Sequence, residues 1–315
     1  MNAEMIAEQP QAGADLKTLD FSVWMLERLA RTEDALSRWV GVNTPAGLGE
    51  AMRYAVLDGG KRLRPLLVWA AAEAVGGHAA ATLRAGCAVE LIHAYSLVHD
   101  DMPCMDNDVM RRGKPTVHVQ FGEASALLAG DALQALAFEL LAPAGDEHAE
   151  LPAAMQARLC SLLARAAGAR GMAGGQAIDL ASVGKQLTES QLREMHRLKT
   201  GALLLGSVLM GAACNAQTEA RAIEALTEYG QALGVAFQVV DDILDVVADS
   251  ATLGKTAGKD AANDKPTYVS LLGLERARAH AEELRQQAHA ALARSGLADT
   301  QALAALADMV VQRSH

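Results

Sequence analysis

The chain has 315 residues, of which 51% are hydrophobic and only 3% aromatic, and its formal net charge is −10. This length supports a sizeable core, in one large domain or two ordinary ones. The scarcity of β-branched and aromatic runs disfavours a sheet, and the acidic charge argues against a nucleic-acid partner. An acidic protein can still bind an anionic substrate where basic residues are local and metal ions intervene.

Apolar residues recur with helical period along nearly the whole chain. Only two connectors are long, Arg111–Val119 and Asp249–Thr267, and each follows an acidic cluster. We therefore predict an all-α fold of ten or more helices, forming a single domain over residues 1–315 with its site in a cavity between facing helices. The predicted helices are Leu16–Val40, Leu48–Leu57, Leu63–Val75, Ala80–His99, Ala124–Leu141, Leu151–Ala181, Leu187–Arg197, Leu203–Cys214, Glu219–Val247, Arg276–Arg294 and Thr300–Gln312.

Compartment and membrane signals both favour a cytoplasmic protein. The four cysteines lack paired spacing, which is typical of a reduced compartment. The polar N-terminus, whose residues 1–15 we expect to be flexible, lacks the features of a signal peptide. The uncharged stretch Gly201 to Cys214 is shorter than the roughly 20 residues of a membrane span, so we predict a buried core helix and no span.

Three carboxylates, Asp241, Asp242 and Asp245, lie near the end of an apolar helical segment. Residues four apart share a helix face with Cβ atoms roughly 5–6 Å apart, so Asp241 and Asp245 can reach one hard cation. Gln238 lies one turn earlier on the same side. A solvated helix end would also carry acids, but the apolar flanks make these acids costly unless they line a cavity.

A first acidic cluster, Asp100, Asp101 and Asp106, has a wider spacing that is interrupted by Pro103. Proline cannot continue a regular helix, so a local bulge is needed to return Asp106 to the face of Asp100. A polar turn is the alternative interpretation. The basic residues that follow favour a site instead, since they are well placed for phosphate oxygens. They are Arg111, Arg112 and Lys114.

A Gly-Gly turn, Gly59-Gly60, precedes Lys61 and Arg64 at the start of a helix. Such a turn lets the backbone approach a phosphate closely, and the helix start adds a favourable dipole. Taken alone, a basic helix start is more often part of the solvated surface. A lone histidine at the position of His93 is more often a core residue than a ligand. Together with the acidic clusters, these residues indicate two diphosphate sites, one bridged by metal ions and one purely basic. The sequence contains no GxxxxGK[ST] loop.

A series of motifs resembles those of the trans-prenyl diphosphate synthases, specifically the bacterial-type farnesyl diphosphate synthases. The motifs follow the family order and span residues 59–265, and such a series is far more specific than one DDxxD motif. They are Gly59 to Pro65, Asp100 to Asp106 with Arg111-Arg112, Gly175 to Asp179, Lys199-Thr200-Gly201, Gln238 to Asp245, Gly254-Lys255 and Asp264-Lys265.

The resemblance implies three Mg²⁺ ions, with Mn²⁺ as a possible substitute, on the diphosphate of an allylic substrate. Asp100, Asp106 and Asp241 would hold the ions. Three further acids would bind the ions or support their ligands: Asp101, Asp242 and Asp245. The cations that would neutralise this diphosphate are Arg111, Lys199 and Lys255, and Lys265 would help indirectly.

The resemblance also implies a metal-free site for isopentenyl diphosphate. Its residues would be Gly60, Lys61, Arg64, His93 and Arg112. Oxygens of Lys199, Thr200 and Gln238 would stabilise the allylic cation, and Gln176 and Asp179 would lie at the metal end of the pocket.

The resemblance implies that Tyr95 controls product length. This residue lies about 7–8 Å before Asp100 along the helix. In similar enzymes an aromatic residue there stops growth at fifteen carbons, and Ser96 leaves room in front of it. The implied product is C15, a C20 product is the main alternative, and Tyr95 is also compatible with a simple core role. A terpene cyclase and a non-catalytic prenyl-binding subunit are less favoured, since the basic motif and all six acids are present. The resemblance further implies a homodimer.

Overall fold

The computed structural model describes residues 18–57, 59–143, 151–185, 187–247 and 267–313. Most of these residues are helical, and they form more than ten helices, as the apolar periodicity predicted. The helices are α1 (Phe21–Trp39), α2 (Leu48–Val56), α3 (Leu63–Ala74), α4 (Ala79–Asp100), α5 (Val117–Phe121), α6 (Glu123–Leu141), α7 (Ala153–Ala167), α8 (Met172–Ala181), α9 (Glu189–His196), α10 (Ala202–Ala213), α11 (Ala220–Val247), α12 (Tyr268–Leu272), α13 (Leu274–Arg294) and α14 (Gln301–Gln312).

The predicted helix Leu151–Ala181 is wrong as a single element, because the chain turns between α7 and α8. Gly171 lies in this turn, where the backbone folds back onto the end of α7. A Cβ added there would lie 2.1 Å from the carbonyl oxygen of Ala166, so a larger residue would displace the turn. The other predicted helices are present, with ends shifted by a few residues.

The connector Arg111–Val119 contains structure that the sequence did not predict. Strands β1 (Met110–Arg111) and β2 (Lys114–Pro115) form a small antiparallel hairpin in which Arg111 lies opposite Lys114. The short helix α5 follows it. The second long connector, Asp249–Thr267, lies outside the described residues except for its last residue.

Two hydrophobic clusters form the core, one around α4, α6 and α7 and the other around α11, α13 and α14. Helices α3 and α10 contribute to both clusters and so join them. They approach closely at Gly211, where an added Cβ would lie 2.4 Å from the carbonyl oxygen of Val68. Helix α10 is buried along most of its length, as predicted for the stretch Gly201 to Cys214.

Helix α6 is the only described helix that is long and apolar enough to cross a membrane, judged by length and composition. It packs against α4, and the core helix of a globular protein passes the same test. Its outer face exposes the side chains of Leu127 and Leu128, which are 46% and 55% accessible. An apolar face of this kind is suited to contact with another protein surface.

The end of α14 meets α11 beside the second acidic cluster. The guanidinium of Arg313 donates to the carbonyl oxygen of Phe237 at 2.5 Å and pairs with Asp241 at 2.9 Å. The hydroxyl of Tyr229 on α11 donates to the carbonyl oxygen of Leu303 at 2.7 Å, which fixes α14 on α11. The C-terminal helix therefore borders the predicted site.

Candidate active site

Asp100 is the last residue of α4, and the chain after it folds into a compact turn. The backbone N–H of Asp106 donates to the carbonyl oxygen of Asp100 at 2.8 Å, and Asn107 takes a left-handed conformation with φ of 52°. This turn returns Asp106 to Asp100, as the predicted bulge around Pro103 requires. Burial raises the pKa of Asp100 to about 6; Lys199 opposes this shift, and the charge of Asp106 adds to it. The two acids therefore favour a nearby cation.

Asp101 is buried and holds Arg111. The Nε of Arg111 donates to both carboxylate oxygens of Asp101, at 3.0 and 2.8 Å, and its Nη2 donates to Oδ1 at 2.6 Å. Bidentate pairs of this kind fix the orientation of the guanidinium. Asp101 thus supports a basic residue in this arrangement, whereas its neighbour Asp100 faces a cavity.

The three carboxylates of α11 have different surroundings. Asp242 is buried and accepts hydrogen bonds from Nε2 of Gln238 at 2.9 Å and from the backbone N–H of Tyr268 at 2.7 Å. It therefore fixes Gln238 and the start of α12. Asp241 and Asp245 are only partly buried and share one face of the helix. These two are the better candidates for metal ligands on α11.

A π-helical segment, Arg197–Gly201, presents Lys199 and Thr200 between α9 and α10. The Nζ of Lys199 donates to Oδ2 of Asp179 at 2.6 Å, and Oγ1 of Thr200 donates to Oε1 of Gln238 at 3.3 Å. Burial would lower the pKa of Lys199, but the charge and hydrogen bond of Asp179 raise it above its ordinary value. Lys199 is thus a cation, and it lies beside a pair of oriented oxygen dipoles.

Helix α8 contacts the π-helical segment at Gly175. A Cβ added to Gly175 would lie 2.1 Å from the backbone nitrogen of Lys199, so this approach requires glycine. The contact lets α8 bring Asp179 to Lys199. The next residue, Gln176, lines a cavity, and both polar atoms of its amide are buried without a hydrogen-bond partner. Such an amide is suited to contact with a bound group.

A cavity of about 850 Å³ lies next to the Gly-Gly turn. The Nη1 of Arg112 donates to the carbonyl oxygen of Gly59 at 2.8 Å, which draws the guanidinium onto the turn. A Cβ added to Gly60, whose φ is 128°, would lie 3.0 Å from this nitrogen. All residues predicted for isopentenyl diphosphate line this cavity: Gly60, Lys61, Arg64, His93 and Arg112.

Burial and neighbouring charges shift the pKa values of two residues that line this cavity, Lys61 and His93. Burial lowers the pKa of Lys61, and the nearby charge of Arg313 lowers it further. Burial, followed by the charges of Arg64 and Arg112, holds the pKa of His93 well below its ordinary value. The positive charge of the cavity therefore comes from its arginines and Lys61, while His93 is neutral and offers a hydrogen bond only.

A second cavity of about 380 Å³ adjoins the first, since Arg64 and His93 line both. Tyr95, Ser96 and Asp100 also line it. The residues predicted for product length and a residue predicted for metal binding therefore face the same space.

Two side chains next to Tyr95 were not predicted from the sequence, Gln134 on α6 and His99 on α4. Burial raises the pKa of the Tyr95 hydroxyl and the side chain of Gln134 opposes this shift, and the ring of His99 packs edge-on to that of Tyr95 with centroids 5.7 Å apart. The Nε2 of His99 lies 3.1 Å from the carbonyl oxygen of Leu127, so His99 also ties α4 to α6. A helical spacing of four could have paired Tyr95 with His99. No local signal marks Gln134, which is distant along the chain.

The described residues contain no group of three or more His, Cys, Asp or Glu side chains that could hold a metal ion by themselves. The available donors are instead hard carboxylate oxygens at the ends of two helices. Mg²⁺ is usually held by one or two carboxylates together with substrate phosphates, so this donor set fits Mg²⁺ bound with a diphosphate. The predicted Lys255 and Lys265, with Gly254 and Asp264, lie outside the described residues.

Comparisons with known proteins identify relatives of this chain. The polyprenyl synthetase family model matches residues 45–307. The farnesyl diphosphate synthase of Escherichia coli (strain K12) is 46% identical over 303 residues, which cover 94% of this chain and 100% of that protein. The heterodimeric geranylgeranyl pyrophosphate synthase large subunit 1 of Arabidopsis thaliana is 43% identical, over 95% of this chain and 81% of that protein.

A crystal structure of geranyltransferase from Helicobacter pylori, complexed with magnesium and isoprenyl diphosphate, matches the fold with a TM-score of 0.79. It is 32% identical, and the match covers 93% of this chain and 97% of that one. A helical bundle with aspartates on two helix ends beside joined cavities defines a protein of the isoprenoid synthase class. Within that class, the chain belongs to the polyprenyl synthetase family, and the resemblance seen in the sequence is confirmed.

Proposed function

We propose that the chain is a farnesyl diphosphate synthase, which joins isopentenyl diphosphate head-to-tail to dimethylallyl or geranyl diphosphate and releases diphosphate. The observation that carries this proposal is the pair of joined cavities. One is cationic around Lys61 and Arg64, and the other lies between Asp100 and the aromatic ring of Tyr95. The similarity to the E. coli farnesyl diphosphate synthase over all of that protein's length supports it.

The acidic clusters would bind the allylic diphosphate through three Mg²⁺ ions, with Mn²⁺ as a substitute. When bound, such ions neutralise the diphosphate and assist its departure. The complex of the H. pylori geranyltransferase with magnesium and isoprenyl diphosphate supports this choice of metal. The proposed ligands are Asp100, Asp106, Asp241 and Asp245, while Asp101 and Asp242 hold Arg111 and Gln238 in place.

The reaction breaks the bond between C1 and the diphosphate oxygen of the allylic substrate, and the electron pair leaves with the oxygen. Lys199 and Arg111, with Lys255 and Lys265, would stabilise the departing diphosphate by charge. The oxygens of Thr200 and Gln238 would stabilise the allylic cation with their dipoles. The alkene of isopentenyl diphosphate then attacks from close range to form the new carbon–carbon bond. A proton passes to the departed diphosphate, which regenerates a double bond.

We propose a C15 product because the ring of Tyr95 lies at the wall of the smaller cavity and packs there against the ring of His99. A fixed ring limits the length of hydrocarbon that fits in front of it. The second candidate is a C20 product, which the 43% identity to an Arabidopsis geranylgeranyl pyrophosphate synthase subunit favours.

We further propose a homodimer that forms through the exposed apolar face of α5 and α6. Val119, Leu127 and Leu128 are each close to half exposed there, which is unusual for large apolar side chains unless a partner covers them. The scattered cysteines favour the cytoplasm as its compartment. The joined core clusters favour one domain over residues 1–315.

One assay tests the function. The purified protein is incubated with Mg²⁺, labelled isopentenyl diphosphate and either dimethylallyl or geranyl diphosphate, and the product is sized by chromatography. We expect a C15 product from both substrates and none after chelation of the metal. A C20 product would favour the second candidate, consumption of geranyl diphosphate alone would favour a cyclase, and no product would favour a binding subunit.

A further inference from the structure

Arg62 occupies the middle of the basic motif, yet its guanidinium is buried, with only 2% of the side chain exposed. Its Nε donates to Glu33 on α1 at 2.6 Å, and its Nη1 donates to Glu90 on α4 at 2.7 Å. Its Nη2 donates to the carbonyl oxygen of Val56 on α2 at 2.6 Å. Each guanidinium nitrogen is thus bonded to a different helix of the protein, and Arg62 joins three helices at the wall of the cavity.

The backbone of Arg62 is left-handed, with φ of 46° and ψ of 35°. Residues other than glycine, asparagine and aspartate seldom adopt this conformation, and it persists where the surroundings fix it. The reversal places Lys61 and Arg64 at the cavity while the side chain between them is directed into the core. The three hydrogen bonds of the guanidinium supply the constraint that this backbone requires.

We propose that Arg62, clamped by Glu33 and Glu90, is a positioning residue that holds Lys61 and Arg64 at the basic cavity. The inference rests on the proposed function, in which this cavity binds the diphosphate of isopentenyl diphosphate. Arg62 itself does not bind the diphosphate. The two carboxylates neutralise it, so the charge available to the substrate belongs to Lys61, Arg64 and Arg112.

Glu33 offers the cleanest test, because its side chain is 38% exposed and its removal leaves Arg62 paired with Glu90. The variants are Glu33→Ala, Glu33→Gln, which keeps an acceptor oxygen, and the matched control Asp34→Ala. Asp34 is the next residue of α1 and is exposed, so the control removes the same charge away from the clamp. KM is measured for both substrates, and the binding of inorganic pyrophosphate is measured calorimetrically in the presence of a chelator.

We expect Glu33→Ala to raise KM for isopentenyl diphosphate and Kd for pyrophosphate about ten-fold, as for loss of one charged hydrogen bond. KM for the allylic diphosphate should change less than about two-fold, because its proposed ligands lie elsewhere. Glu33→Gln should recover most of the affinity, and Asp34→Ala should behave as the wild type. If the clamp only stabilised the fold, Glu33→Ala would lower the melting temperature and change KM for both substrates to the same extent.

Arg62→Lys provides a second test, since a single ammonium cannot reproduce the guanidinium fork between three partners. It should weaken the binding of isopentenyl diphosphate at least as much as Glu33→Ala does. Equal rises in both KM values, or wild-type affinities in both variants, would overturn the clamp. So would failure of the wild type to bind pyrophosphate without metal. If the wild type binds pyrophosphate in a Glu33-dependent manner but forms no prenyl product, the proposed function fails and the clamp stands.

Discussion

The ammonium of Lys199 and the carboxylate of Asp179 form an ion pair of 2.6 Å that joins the π-helical segment to α8. Both side chains are largely buried, so the pair is weakly screened by solvent. Asp179 thereby fixes the position and the charge of the cation proposed to stabilise the departing diphosphate.

Asp179→Asn should remove the charge while leaving an acceptor oxygen. We expect kcat to fall about 10- to 100-fold, as for weakening of one charged hydrogen bond at a developing charge. KM for isopentenyl diphosphate should hardly change, since its cavity does not include this pair. Steady-state kinetics with each substrate varied in turn would measure this. The control is Glu194→Gln, which breaks a surface pair with Arg197 and should have no effect.

Gly175→Ala should disrupt the same contact from the backbone side. The added Cβ would meet the backbone nitrogen of Lys199 at 2.1 Å, and overpacking of this kind costs about 1–3 kcal/mol of stability. We expect a lower midpoint in urea denaturation and loss of most activity. Gly41→Ala is the matched control, because nothing lies within 4 Å of its added Cβ. Full activity in Gly175→Ala would contradict the close approach of α8 to the π-helical segment.

Tyr95→Ala should lengthen the product beyond C15, because it removes the ring at the wall of the smaller cavity. The dephosphorylated products would be separated by reversed-phase chromatography. Tyr54→Ala is the control, since the Tyr54 hydroxyl donates to the carbonyl oxygen of Pro115 outside this cavity. An unchanged C15 product from Tyr95→Ala would show that the hydrocarbon stops elsewhere.

Asp100→Asn should stabilise the metal-free protein near neutral pH while abolishing activity. The pKa of Asp100 in the folded protein is about 6, which lies above its ordinary value. Ionisation of Asp100 therefore lowers the free energy of unfolding as the pH rises from the ordinary pKa to about 6, and the loss is complete above that pH. This loss disappears as the pH falls below the ordinary value, and it reaches at most about 3 kcal/mol. Urea denaturation in the presence of a chelator should show the gain near pH 8 and little of it near pH 4. An equal gain at both pH values, or in Asp34→Asn, would point to another cause.

Leu128→Glu combined with Leu127→Glu should convert the proposed dimer to a monomer. Both side chains lie on the exposed apolar face of α6. Burial of two unpaired charges in an interface there would cost a large desolvation free energy. Light scattering after gel filtration would report the mass. Leu26→Glu on α1, where the side chain is 63% exposed, controls for the loss of a surface leucine. A wild-type mass in the double variant would place the interface elsewhere.

The sequence predicted those parts of the site that depend on local spacing. Asp241 and Asp245 share a helix face because they are four residues apart, and the proline between Asp100 and Asp106 required a turn that the structure contains. The resemblance to a known family then grouped Lys61 with the other cations of one cavity, which the structure also places together.

The sequence could not predict which charged residues form ion pairs with one another. Asp100 and Asp101 are neighbours of one type, yet only the fold brings Arg111 to Asp101. Arg62 looks like a phosphate ligand in the motif, and its left-handed backbone, which depends on Glu33 and Glu90, directs it inward. These partners lie on separate helices, so no pattern within one segment reports them.

Helix α4 carries, in order, Glu90, which pairs with Arg62, His93 of the basic cavity, Tyr95 at the wall of the smaller cavity and Asp100 of the acidic cluster. Each residue of a helix advances about 1.5 Å and turns by about 100°, so these four positions have a fixed mutual geometry. Insertion or deletion of one residue among them would rotate the side chains on one side of the change by about 100° relative to those on the other side. A substitution that changes the size of the side chain at position 95 can therefore alter the smaller cavity without moving Glu90, His93 and Asp100 relative to one another.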